Sequence, residues 1–105
     1  VVCWKLVRDR VGEELLREGG NVRVFRVGGE DLERLLRAKI VEEAMELAEG
    51  GDLEEAADLL EALYEWLRVR GVEPGRVEEL RLAKKRERGG FGAGFVAVWL
   101  DRDVC

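Results

Sequence analysis

Apolar positions along the chain fall into helical stretches separated by glycine pairs, with two short alternating runs between and after them. The most regular stripe is Leu32, Leu35, Leu36, Ile40 and Leu47. Its spacing of three and four predicts an amphipathic helix over roughly 31–49, capped by Asp31 and stopped by Gly50-Gly51. Asp52 opens a second long helix to about Arg70, with Glu55 in capping-box position and Gly71 as its end. Pro74, favoured in a first turn, starts a third helix that runs to about Arg88. A brief helix over 10–18, capped by Asp9, ends at Gly19-Gly20. Residues 2–8 read as extended, and alternation predicts strands over 22–27 and from Phe95 to Leu100. The fold expected is mainly α: an antiparallel helical hairpin across the tight Gly-Gly-Asp turn, beside a short N-terminal/C-terminal β element. No repeat or linker divides residues 1–105, so a single domain is expected.

The second long helix is apolar on two sides. Leu53, Ala56, Ala57, Leu60, Leu63, Tyr64 and Leu67 form one face, and Leu59, Ala62 and Trp66 the other. One face suffices for the hairpin. The other is covered either by the third helix or by a second copy of the chain, and a two-fold homodimeric bundle is the more economical arrangement.

Glu43 breaks the pattern of the first long helix. It falls in the middle of the apolar stripe, with Lys39 and Glu46 on the same face. Burying an unpaired charge costs several kcal/mol even after relaxation, so something must neutralise these acids. Glu43 and Glu46 stand three apart and can share an ion on one helix face, as can Glu55 and Asp58 on the next. An antiparallel hairpin would bring the two pairs together, and four carboxylates repel unless a cation lies among them. A divalent cation held by oxygen is one answer. The plainer alternative is a solvated acidic face, with Glu55 as a capping partner and Asp58 paired with a nearby arginine. Glu49, Glu54, Glu61 and Glu65 fit that plainer description.

Composition narrows the chemistry. The chain has no His, Ser, Thr or Gln, so nucleophiles and metal sites built on those residues are excluded. Carboxylates, Lys, Arg, Tyr64 or an oxygen-held metal must carry any catalysis. A net charge of −5 argues against duplex nucleic acid as a partner. No apolar run approaches a membrane span and no signal-peptide pattern is present, so a cytoplasmic protein is expected. Charged residues make up 39% of the chain, with Arg far outnumbering Lys, a balance found in proteins of thermophiles. Cys3 and Cys105 are too few and too distant for a zinc site and are either free thiols or a terminal disulfide. Trp4 and Trp99 read as core or interface residues.

A basic run closes the third helix: Lys84, Lys85, Arg86 and Arg88, followed by Gly89-Gly90-Phe91. These cations either favour the helix macrodipole or, with Lys84 and Arg88 four apart, hold a polyphosphate. Phe91 is equally a core plug or a platform for a base. The glycine-rich loop matches no Walker or Rossmann pattern.

Lys39-x-x-Glu42-Glu43-x-x-Glu46 followed by Glu55-x-x-Asp58 resembles the signature of the MazG-like all-α nucleotide pyrophosphohydrolases. Lys5-Leu-Val-Arg-Asp9-Arg and Lys85-Arg-x-Arg-Gly-Gly-Phe91 resemble a small single-domain branch described as phosphoribosyl-ATP pyrophosphohydrolase-like. Together these segments span nearly the whole chain. Gly12 stands where the branch has proline, and the segment between Glu46 and Glu55 is shorter than usual. The resemblance implies Mg²⁺, with Mn²⁺ as a substitute, held by Glu43, Glu46, Glu55 and Asp58. It places Glu42 beside that site, makes Lys39, Lys84 and Arg88 phosphate contacts, and implies a homodimer or dimer of dimers.

The activity expected is Mg²⁺-dependent cleavage of a nucleoside triphosphate between the α and β phosphates, in a house-cleaning role. Glu42 or Glu43 would orient a water or take its proton. The rivals are a non-catalytic dimeric helical module and phosphoribosyl-ATP hydrolysis in histidine synthesis.

Overall fold

A computed structural model of the chain describes residues 4–100. It contains four helices, α1 (Asp9–Glu18), α2 (Gly29–Gly50), α3 (Leu53–Val69) and α4 (Pro74–Arg88). No strand occurs among the described residues. The β expectation for 22–27 and 95–100 is therefore not met there: alternation alone does not make a strand, which exists only where a partner takes its backbone hydrogen bonds. Cys3 and Cys105 lie outside the described residues. The chain forms two compact units, Val1–Pro74 and Gly75–Cys105.

The first unit is built on the α2–α3 hairpin. Its tight turn depends on Gly51, at φ 70°, whose N–H donates to the Leu47 carbonyl over 2.8 Å. That left-handed position closes α2 and is open to glycine at little cost. Gly71 at φ 70° ends α3 in the same way, with Val72 N–H donating to the Leu67 carbonyl. All four helix locations follow the sequence pattern, but three caps differ. α2 starts two residues earlier than expected, capped by Gly28, so Asp31 lies inside its first turn. Asp9 is likewise inside α1 rather than capping it. Asp52 does occupy the N-cap of α3, yet its side chain makes no capping hydrogen bond. The acids still favour these ends through the helix dipole.

Buried apolar side chains in this unit are few: Leu36 from α2, with Ala62 and Leu67 from α3. Leu32, Leu35, Ile40 and Leu47 surround them half-buried, as the stripe predicts. The division of α3 into two faces needs redrawing. Ala62 and Leu67, expected on opposite faces, are both buried, while Leu53, Ala57, Leu60 and Tyr64 are exposed. These four recur at helical spacing and form a stripe that the rest of the first unit leaves open. Val41 and Met45, one turn apart on α2, are also exposed.

A polar clamp fixes one end of the hairpin. The Trp66 ring N–H donates to Glu33 Oε1 over 2.9 Å, and Arg37 approaches Glu33 at 3.0 Å. Arg70 stands over the Trp66 ring at 5.2 Å from its centroid. The Trp66 hydrogen bond, with the arginine charges, holds the Glu33 carboxyl below the usual carboxylate range despite opposing burial.

In the second unit α4 is highly charged and almost wholly exposed, with Arg81 paired to Glu78 one turn before it. Phe91 and Phe95 beyond it are exposed, so Phe91 plugs no core within its own unit. No described helix is long and apolar enough to cross a membrane.

Candidate metal centre

The residue that broke the sequence pattern is buried. Glu43 is only 6% exposed, the sole charged residue in the interior among those described. It is there because its position on α2 belongs to the apolar stripe, one turn from Ile40 and Leu47. Lys39, one turn earlier, reaches both Glu43 Oε1 and Glu42 Oε2 at 3.2 Å. Burial works to lower the Lys39 pKa, but hydrogen bonds and charge from the two carboxylates outweigh it and hold the ammonium above its usual range. Lys39 is thus a fixed positive charge.

Glu42, Glu43 and Glu46 each bring a carboxylate oxygen within 4.8 Å of the others. One ammonium does not neutralise three such groups. The strain is visible at Glu46, which is pushed up first by its hydrogen bond with Glu43, then by the Glu43 charge, with burial adding to both. A neighbouring negative charge disfavours ionisation of a carboxyl in this way. More telling are two atoms without partners. Glu43 Oε2 and Glu55 Oε2 are both buried and accept no hydrogen bond. A carboxylate oxygen left in this state costs roughly 1–3 kcal/mol, and one such atom stands on each helix of the hairpin.

The other expected site residues are distributed as follows. Glu55 does not act as a capping partner; its carboxylate lies over Gly50, where an added Cβ would meet both oxygens at 2.6 Å. The side chain occupies space that only glycine leaves free. Asp58 is paired with Arg8, which donates to Asp58 Oδ1 over 2.6 Å. Neither Glu55 nor Asp58 belongs to the three-carboxylate group on α2. Lys84 and Arg88 are exposed on α4, in the second unit.

Arg8 received no role from the sequence, although it sits in the Lys5-Leu-Val-Arg-Asp9-Arg run. It anchors the segment before α1 to α3. Just upstream, Trp4, Lys5 and Leu6 face Leu35, Ala38, Lys39 and Glu42 of α2 across a depression of about 100 Å³. Trp4 is 69% exposed and Trp99 is also exposed, so of the two expectations, core or interface, the core one is not met. Glu33 was equally unmarked, yet it lies on the same stripe as Leu36 and Ile40, and that spacing was the available signal.

The three clustered carboxylates on α2 are oxygen donors of the kind a hard divalent cation takes, though such acidic groups are common without an ion, and Glu55 Oε2 lies outside the cluster. No protein-family model, curated protein or solved structure matches the chain.

Proposed function

We propose that the protein is a Mg²⁺-dependent nucleotide pyrophosphohydrolase, cleaving a nucleoside triphosphate between the α and β phosphates to a monophosphate and pyrophosphate. The observation that carries this reading is the pair of buried carboxylate oxygens without partners, Glu43 Oε2 on α2 and Glu55 Oε2 on α3. A divalent cation would complete such atoms, and polyphosphates are substrates that such cations commonly present.

Glu43 and Glu46 would hold the ion from α2, joined by Glu55 and Asp58 from α3. Asp58 would first exchange its exposed pairing with Arg8 for the metal, a change of small cost because exposed ion pairs contribute about 0–1 kcal/mol. When bound, the ion neutralises phosphate charge and lowers the pKa of a water. Glu42, whose oxygen is held by Lys39, would orient that water or accept its proton. Lys39 keeps its charge and so favours negative charge growing on the phosphates. Lys84 and Arg88, one turn apart on α4 of the second unit, are cations of the kind that hold a polyphosphate. The exposed α3 stripe of Leu53, Leu60 and Tyr64 supports assembly of the hairpin as a homodimer, because three buried apolar side chains are a small core for such a unit.

A non-catalytic helical module is the second reading, favoured by the pairing of Asp58 with Arg8 away from the α2 acids. Release of pyrophosphate from a panel of canonical and modified nucleoside triphosphates, phosphoribosyl-ATP included, separates the two. Pyrophosphate formed with Mg²⁺ and abolished by EDTA supports the enzyme. No release from any of them supports the module.

A further inference from the structure

The acidic cluster has a neighbour that hydrolysis at a phosphate does not explain. The depression between residues 4–6 and α2 shares two of its walls, Lys39 and Glu42, with the three-carboxylate group. A molecule seated there is one side chain away from the carboxylates. Its volume of about 100 Å³ is far below the several hundred Å³ of a pocket that encloses a whole small ligand. It has room for one flat ring system, with the rest of the ligand outside.

The lining suits such a ring. Leu6, Leu35 and Ala38 give an apolar floor, and Lys5 and Lys39 bring positive charge to its edge. Trp4 offers a large aromatic surface that folding has left 69% exposed. The other well-placed tryptophan, Trp66, is engaged by Glu33 and Arg70 and is not free for this task. Composition adds an independent constraint: without Ser, Thr, Gln or His, the chain has few neutral side chains with which to read the edge of a base. Stacking needs none of them and tolerates any base, since each has a π face.

We propose that this depression holds the nucleobase of the substrate, with the Trp4 indole as its stacking platform, so that the phosphates extend across Lys39 and Glu42 to the acidic cluster. The proposal rests on the pyrophosphohydrolase reading and adds to it a base site that selects for an aromatic ring rather than for a particular base. It makes nucleotides better ligands than bare polyphosphate, through one residue outside the metal-binding set.

The test is calorimetric binding, in Mg²⁺, of a nucleoside triphosphate with a methylene bridge between the α and β phosphates, compared with inorganic tripolyphosphate. Trp4→Ala is expected to weaken the nucleotide analogue about tenfold and tripolyphosphate by less than about twofold, with Trp4→Phe close to wild type. Equal loss of both ligands in Trp4→Ala, or no loss of either, would overturn the base site. Pyrophosphate release by the wild-type protein keeps that failure separate from failure of the enzyme reading. If Trp4→Ala hydrolyses nucleotides with an unchanged KM, only the base site falls. If the wild-type protein binds neither ligand and releases no pyrophosphate, both fall.

Discussion

Replacing Glu43 by glutamine should leave the metal-free protein as stable as before or more so, while removing most of its response to metal. Glu43 is buried, with one oxygen 3.2 Å from Lys39 and the other unpartnered. Two opposing effects set the outcome. Breaking a buried ion pair costs about 3–5 kcal/mol when it strands the remaining charge. Here Lys39 is not stranded, because Glu42 Oε2 also lies 3.2 Å from it. Against the partial loss stands relief of the unpartnered oxygen, roughly 1–3 kcal/mol, since a glutamine amide carries no charge and can donate to the neighbouring Glu46 carboxylate. The net change in EDTA is therefore between zero and a stabilisation of about 1 kcal/mol, or up to about 4–8 °C in Tm. In Mg²⁺ at about 100 times its Kd, the wild-type protein should gain about 2.7 kcal/mol, a shift of order 10 °C. Glu43→Gln should gain little. Thermal melts of both proteins in EDTA and in Mg²⁺ give all four numbers. A variant less stable than wild type by about 3 kcal/mol in EDTA, with a wild-type protein indifferent to Mg²⁺, would show that Glu43 serves only as a partner for Lys39.

Three other perturbations bear on the fold and its clamp. Glu33→Gln should lower Tm at neutral pH, because the folded-state carboxyl titrates below its ordinary value; that contribution is present above the unfolded pKa and is lost as pH falls through the depressed one, so melts of the two proteins should converge below about pH 4. Convergence at higher pH, or none, would remove Glu33 from the account of the clamp. Gly51→Ala should cost about 1 kcal/mol at the left-handed turn, read as a loss of about 4–8 °C in Tm. Leu60→Glu together with Tyr64→Lys, both on the exposed α3 stripe, should convert the proposed homodimer to monomer by sedimentation without loss of helix by circular dichroism; a wild-type protein that sediments as a monomer, or an unchanged mass in the variant, would contradict the proposed interface.

The helices were legible because their signals are local. Gly50-Gly51 and Gly71 end α2 and α3 where backbone sterics demand it, and the 3–4 spacing from Leu32 to Leu47 correctly gave the buried face of α2. The same spacing identified Glu43 as a charge in the wrong place, which its burial bears out. What failed depended on partners. The runs at 22–27 and 95–100 alternate like strands, yet a strand is defined by a neighbour that no local pattern supplies. On α3, Ala62 and Leu67 share the interior although the wheel separates them, because a facing helix covers a broader arc than one line of contacts. Asp58 illustrates the same limit: its arginine is Arg8, 50 residues away, and no spacing rule reaches that far. The depression beside Lys39 required the segment at Trp4 to cross α2, which is tertiary information.

The central claim is that the acids around Glu43 form a cation site. Titration of the protein with Mn²⁺, followed by electron paramagnetic resonance of the free ion, tests it without any assumption about substrate. The account predicts saturable binding by the wild-type chain, competed by Mg²⁺ and lost in Glu43→Gln. Mn²⁺ that stays free, or binds the variant as it binds the wild type, would contradict it.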